Sequence, residues 1–303
     1  MKKLVLLITL AVLTSCDDGD FIVEDLNFEN STVQVCDIPV NEDVSEYLFY
    51  IINDTDFETI ALALNTTDDI LTEQRIHGPY SLGNNNLEYR KLSGAAGSTY
   101  YCNDVPPASP TTTQAFIGEA GNVMIGTTII EEDNDGISAI DEGINLLDLS
   151  LSRDTDGDGL PDYKDEDDDG DNVLTINEGV NLTDLTLSLN TDSNSPNGDT
   201  IPDYLDPDDD GDGILTIQED IDGILGPASD IIGSTPNYLN AAATFTANPA
   251  IDRYIQHNFT NTATLEITIE DLTITSDSRE IIFAVYEFGT YVRTLNVRVT
   301  PTF

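Results

Sequence analysis

Residues Asp154–Glu178 read DTDGDGLPDYKDEDDDGDNVLTINE, and residues Pro202–Glu219 read PDYLDPDDDGDGILTIQE. The second passage repeats the first, and its end is the clearest single loop in the chain. In Asp208–Glu219, carboxylates stand at the first, third, fifth and twelfth places: Asp208, Asp210, Asp212 and Glu219. Gly213 is sixth, where a sharp turn is needed, Ile214 is seventh, where a backbone carbonyl serves, and Thr216 is ninth. A hard divalent cation takes about six to eight oxygen ligands, and this spacing delivers them from one short loop.

The pattern recurs. Asp167–Glu178 carries Asp167, Asp169, Asp171 and Glu178, with Val173 at the carbonyl place and Asn172 where the turn glycine stood. Asparagine also tolerates a left-handed backbone. Glu131–Glu142 is a weaker copy, with Asp133, Asp135, Gly136, Ile137 and Glu142, opened by a glutamate. A second loop type, D-x-D-x-D-G-x-x-D-x-x-D, runs through Asp154, Asp156, Asp158, Asp162 and Asp165, two residues ahead of Asp167. A shift of 36 carries Asp133, Asp135 and Glu142 onto Asp169, Asp171 and Glu178. After five extra residues, Ser193–Asn197, the shift becomes 41, and Asp158, Asp162 and Asp165 fall on Asp199, Asp203 and Asp206. Self-similarity at such a period marks a stacked array. The insertion is expected to spoil the loop that Asn190 and Asp192 begin.

This array resembles thrombospondin type 3 repeats, in which short aspartate-rich loops share a string of calcium ions, and its single loops resemble those of EF-hands and dockerins. The resemblance spans about residues 131–222 and implies calcium as the cofactor and no enzymatic activity. It departs from the animal repeats in lacking their cysteines. It departs from EF-hands because Pro161-Asp162-Tyr163 and Pro202-Asp203-Tyr204 stand where an entering helix belongs, and proline disfavours that helix.

The chain has 303 residues, with 57 Asp and Glu against 11 Lys and Arg and a formal charge of −46. Residues 131–222 hold 30 of those acids and only Arg153 and Lys164 as bases. Without cations such density repels itself. The same charge argues against a nucleic-acid partner, whose phosphates need Lys and Arg. Two histidines, His77 and His257, leave little for imidazole-based catalysis.

Residues 1–15 read as a targeting segment: Lys2 and Lys3, then the apolar run Leu4–Leu13, too short to span a bilayer. Leu13-Thr14-Ser15-Cys16 resembles the lipobox of bacterial lipoproteins, which implies cleavage before Cys16, a lipid on that cysteine and a membrane anchor. The acids Asp17, Asp18 and Asp20 behind it resemble a surface-export signal, so the expected location is the outer-membrane surface. Lipidation of Cys16 leaves Cys36 and Cys102 as the natural disulfide of an oxidising compartment.

Residues 16–130 read as β structure. Ser45–Ile52 (SEYLFYII) is apolar on both alternations, as a strand covered on two faces requires. Asn122–Ile130 is a strand feeding the array at 131–223. In residues 224–303, a linker leads to Leu265, Ile267 and Ile269 on one face of a strand, then to a hairpin of Arg279–Tyr286 and Tyr291–Val299 turning at Glu287–Thr290. This end is too short to bury a core alone. The expected fold is therefore mostly β, a sandwich formed by the N- and C-terminal segments with the aspartate-rich array inserted; two separate β domains are the competing layout. The leucine-rich spacers Asn145–Ser152 and Asn181–Leu189 are expected to pack one repeat on the next.

The chain has no nucleophile elbow, P-loop or dinucleotide glycine pattern, and the reading is of a protein that is not an enzyme. The expected function is a surface-anchored lipoprotein whose calcium-stiffened array serves a structural or adhesion role toward an extracellular protein or glycan. The alternative is a glycan- or peptide-binding lipoprotein with the array as scaffold, for which Tyr80, Tyr89, Tyr100 and Tyr101 are groove candidates.

Overall fold

The computed structural model of the chain describes residues 31–39, 45–83, 86–103, 107–194, 198–224, 226–243, 245–277 and 279–302, with Leu26, Phe28 and Val105. The targeting segment, Cys16 and the acids behind it lie outside the described residues.

The protein is mostly β. Strands β1 (Gln34–Pro39), β2 (Ser45–Asn53), β3 (Glu58–Thr66), β4 (Ile76–Ser81), β5 (Asn86–Leu92) and β6 (Thr112–Glu132) come before the acidic array. Strands β7 (Ile231–Ile232) and β8 (Thr235–Pro236) form a small ribbon after it, and β9 (His257–Ser276) and β10 (Arg279–Val299) end the chain. One antiparallel sheet runs in the order β1-β2-β3-β5-β6-β9-β10, with β4 also paired to β6.

β6 unites the two ends of the chain. One of its edges pairs with β5 through Ile117 and with β4 around Val123. Its other edge pairs with β9 from Ile117↔Thr275 to Glu132↔Thr260, bending at irregularities near Gly118 and Ala120. The sheet curls so that its extremes meet across one core. Phe49 of β2 and Tyr291 of β10 approach edge-on with ring centroids 6.1 Å apart, and a Cβ on Gly289 would come within 2.8 Å of the Val33 side chain. The core holds Phe49, Ile51, Leu62, Tyr89, Phe116, Ile125, Leu265, Ile267, Ile269 and Phe288. Each large side chain so buried contributes about 1.5–3 kcal/mol. The alternation read at Leu265, Ile267 and Ile269 is thus the inner face of β9.

β2 is covered on both faces. Phe49 and Ile51 enter the main core, while Tyr50 packs on the other side with Cys36 and Ala61. Tyr101 lies over Tyr50, centroids 4.8 Å apart, and its hydroxyl accepts from Thr59 Oγ1 at 2.9 Å. Cys36 and Cys102 are disulfide-bonded with Cα atoms 5.5 Å apart, holding that flap on the sheet.

The C-terminal hairpin differs from the sequence reading. Arg279–Val299 is one continuous strand, and the turn lies at its start, between β9 and β10. Glu287–Thr290 is a bulge, where pairing steps from Glu287↔Thr268 to Gly289↔Ile267. The extra residue, Phe288, is driven into the core, which outweighs the turn signal of Gly289.

The array contains short 3-10 turns and no α-helix among the described residues. Asp162–Lys164 and Asp203–Leu205 each follow a proline, Thr175–Asn177 and Thr216–Glu219 each close a twelve-residue loop, and Leu149–Leu151 matches Leu185–Leu187. The spacers pack one repeat on the next only in part: Leu182 lies against Gly136 of the preceding repeat, while Leu147 is 99% exposed and Leu146, Leu149, Leu151 and Leu187 face outward. Each spacer is instead organised by polar caps. Asp148 and Asp184 accept from Ser150 N and Thr186 N, and Ser152 and Ser188 hydroxyls accept from Asn145 N and Asn181 N.

Candidate metal centre

The array's turn positions fold as their residue types require. Gly136, Gly159 and Gly213 have φ of 105°, 96° and 91°, and Asn172 takes the same place at 71°. Asn172 adds what glycine cannot: its Nδ2 donates to Arg253 O at 3.2 Å and its Oδ1 accepts from Ile255 N at 2.8 Å, tying the loop to the chain that enters β9. Glu166 accepts from Asn258 N at 2.6 Å, and Gln218 exchanges bonds with Ile251. The segment between the array and β9, read as a linker, is therefore laid along the array.

Within each loop the opening acid and the inner acids do different work. Asp167 accepts from Asp171 N and Asn172 N with its two oxygens, Asp154 from Gly157 N and Gly159 N, and Asp208 from Gly213 N. These opening carboxylates wrap their own turns. Glu131 turns away to Lys164 and Asn261. The fifth-place acids each give one oxygen to the amide two residues on, as do third-place Asp133 and Asp210, while both oxygens of third-place Asp169 are without a partner among the described residues. Asp135 Oδ1 accepts from Ile137 N at 2.7 Å, Asp171 Oδ1 from Val173 N at 2.6 Å, and Asp212 Oδ1 from Ile214 N at 2.8 Å. Val173 and Ile214 thereby sit at the turns beside the clusters.

Three clusters follow from this. Asp133, Asp135 and Glu142 place donor oxygens within 4.8 Å of one another; so do Asp169, Asp171, Glu178 and Asp209, and so do Asp208, Asp210 and Asp212, with Glu219 buried beside them. Both carboxylate oxygens of Glu142, Glu178 and Glu219 are buried without a hydrogen-bond partner among the described residues. Carboxylates buried this way hold a hard cation or hold protons, because an uncompensated buried charge is prohibitive. Burial first, then the charges of Asp133 and Asp135, push Glu142 up to about 9, and burial with Asp210 and Asp212 pushes Glu219 up to about 8. Asp133 rises to about 8, chiefly by burial, and Asp169, Asp171 and Glu178 rise well above the carboxylate range for the same reason.

Two residues that the loop pattern does not single out complete this arrangement. Asp168 and Asp209 hold the second place of their loops, which a twelve-residue calcium loop does not use. Each is 1% exposed, and neither oxygen of either side chain has a partner among the described residues. Their backbone amides donate to Thr175 Oγ1 and Thr216 Oγ1. Asp209 points back into the preceding repeat, against Asp169, Asp171 and Glu178. Asp168 likewise feels Asp162, Glu142, Asp135 and Asp133. Burial first and these neighbours second push Asp168 up to about 11 and Asp209 up to about 10. The clusters therefore lie between repeats. The signal was legible in principle, since Asp168 and Asp209 match under the 41-residue shift.

Other acids serve as struts. Asp162 accepts from Thr155 N, Thr155 Oγ1 and Arg153 Nε, and Asp203 accepts from Thr191 N and Oγ1, so both close a loop with oxygens already engaged. Asp165 and Asp206 each accept from the amide two residues on. Asp154, Asp156 and Asp158 form a further cluster, and Asp192, Asp199 and Asp206 form another. The insertion Ser193–Asn197 was expected to spoil the loop begun at Asn190 and Asp192, yet Asp192, 5% exposed, packs beside Gly211 as Asp156 packs beside Gly170.

Only His257 brings imidazole to the array among the described residues. It is buried at the start of β9, with Nδ1 2.5 Å from Asp165 Oδ1 and Nε2 3.9 Å from Asp167 Oδ2. Burial lowers its pKa, but Asp165 and Asp167 outweigh that and raise it overall. His77 is buried on β4 against Glu73 O at 2.9 Å and pairs with Ile125 of β6. The four tyrosines do not line one groove: Tyr89 is in the core, Tyr80 binds Asp68, and Tyr100 and Tyr101 meet edge-on, Tyr101 lying over Tyr50 on the opposite face of the sheet.

Comparison with known proteins matches no family model, no curated protein and no solved structure. Buried Asp and Glu groups able to hold metal ions are thus what the molecule itself presents.

Proposed function

We propose that the chain is a surface-anchored lipoprotein, attached through Cys16, in which a calcium-binding array serves as a rigid structural or adhesion module. The observation that carries this reading is the sharing of buried carboxylates between successive repeats, with Asp209 of one loop facing Asp169, Asp171 and Glu178 of the loop before. Calcium, when bound, supplies the positive charge that lets such oxygens stay ionised out of water. The residues do the rest. Opening acids set the turns, inner acids present oxygens, and Asp168 and Asp209 make each repeat's order depend on its neighbour's. Asn172, Glu166 and Gln218 fasten the array to the chain entering the sheet. Donors that are all oxygen and of high charge favour calcium over softer ions, and extracellular calcium modules work at about 10⁻⁴–10⁻³ M.

A calcium titration of residues 17–303 by calorimetry, with small-angle scattering before and after chelation, tests the reading. Saturable heat with several ions per chain, and a particle that loosens on chelation, is the expected result. Absence of binding at millimolar calcium with unchanged scattering would leave the array a proton-stabilised acidic insert and defeat the proposal.

A further inference from the structure

We infer that His257, with Asp156, Asp158 and Asp165, forms a mixed imidazole–carboxylate site that takes a first-row divalent transition ion of the zinc class in preference to calcium. Asp156, Asp158 and Asp165 each have Oδ1 held by the backbone amide two residues on, at 3.0, 2.7 and 3.0 Å. The Oδ2 of each is buried without a partner among the described residues. His257 comes from a different part of the chain and is 1% exposed. Its Nδ1 lies 2.5 Å from Asp165 Oδ1, yet neither ring nitrogen is aligned in a hydrogen bond among the described residues. Asp158 and His257 are also electrostatic neighbours, as are Asp156 and Asp165. The donor set is then one nitrogen and three oxygens.

The next repeat supplies an internal comparison. Asp192, Asp199 and Asp206 stand in the places of Asp156, Asp158 and Asp165, and their donor oxygens lie within 4.8 Å of one another, but without a histidine. An all-oxygen group suits calcium or magnesium. Imidazole beside carboxylate suits zinc and its neighbours, which take both donors in a four-coordinate shell. Two related positions in one array are thus built for different ions. The transition-ion site would also join the sheet to the array, because His257 opens β9.

This inference shares with the proposed function only the premise that the array binds cations, and the two can fail separately. Residues 17–303 are saturated with calcium and titrated with cobalt(II), followed by visible absorption, and then with zinc as competitor. The expected result is one cobalt ion per chain in a site containing nitrogen, displaced by zinc. H257Q is expected to lower cobalt affinity at least about a hundredfold, beyond what loss of an outer-shell partner does, while the calcium heat is retained. D158N, which keeps the imidazole, carries the test if H257Q does not fold, and is expected to weaken cobalt as well. Equal cobalt affinity in H257Q, or no cobalt bound by the calcium-saturated chain, would overturn the inference and leave His257 as an ion-pair partner of Asp165. Cobalt bound through His257 with no calcium heat would instead sink the calcium reading and leave this one standing.

Discussion

Asp209→Asn should change the sign of its effect with the cation. Asp209 is buried with Asp169, Asp171 and Glu178, all donor atoms lying within 4.8 Å. At that separation and an effective dielectric constant of about 20, each ionised pair repels by roughly 3.5 kcal/mol. Four ionised groups cannot coexist there without a cation, so the chelated fold takes up protons, and Asp209 is accordingly pushed up to about 10 from an ordinary 3.8. Keeping it protonated at pH 7 costs about three pH units, on the order of 4 kcal/mol. Asparagine needs no proton. After allowing about 1–3 kcal/mol for a buried amide with imperfect partners, Asp209→Asn should stabilise the chelated protein by about 1–3 kcal/mol.

With calcium the same change removes one of four carboxylates from the cluster. Affinity at that site should fall at least tenfold, or about 1.4 kcal/mol, and the loaded protein should lose stability by a similar amount. Urea unfolding, followed by tyrosine fluorescence because the chain has no tryptophan, measures both arms, and calorimetry measures affinity. Destabilisation in chelator together with unchanged calcium affinity would refute the reasoning, because Asp209 would then be an ordinary buried polar group.

Three further outcomes are expected. The chelated protein should gain stability on acidification: Asp133, Glu142, Asp209 and Glu219 have folded pKa values raised to about 8, 9, 10 and 8, so their contribution is fully present below the unfolded carboxylate range near pH 4 and is lost as pH rises toward about 8–10. Melting temperature against pH should fall across that window in chelator and not in calcium; a flat profile in chelator would contradict the burial of these acids. Asn172→Gly should keep the left-handed turn but lose the bonds to Arg253 O and Ile255 N, destabilising the protein by about 1–3 kcal/mol, whereas Asn172→Ala should add roughly a further 1 kcal/mol of backbone strain, both read from urea midpoints. Replacing Cys36 and Cys102 together by alanine should cost about 2–4 kcal/mol in unfolding experiments while leaving calcium affinity unchanged, since the bridge fastens the far face of β1 and β2.

What was legible in the sequence were features carried by spacing within a few residues. The two-faced apolar alternation of Ser45–Ile52 is the doubly covered β2, and Leu265, Ile267 and Ile269 are the inner face of β9. Asn172 was legible as a turn residue because left-handed backbone selects few residue types. Its hold on residues 253–255 was not, because those partners are some eighty positions away. Glu287–Thr290 misled for a related reason: local turn chemistry was outweighed by burial of Phe288, a tertiary effect.

The spacers show the limit from the other side. NLLDLSLS alternates as a packed segment would, yet its leucines face outward, and its shape comes from Asp148 and Ser152 capping the backbone. The loop template assigned cation oxygens within one loop, from the first place to the twelfth. In the folded chain Glu131 and Asp167 spend their oxygens elsewhere, and the second-place acid of a following loop, Asp209, stands instead against Asp169, Asp171 and Glu178. That exchange turns loops that could bind independently into a chain of shared sites. The last cluster differs, because Asp208 keeps an oxygen without a partner among the described residues beside Asp210, Asp212 and Glu219, so its four acids come from one loop and its calcium affinity should be the least affected by Asp209→Asn.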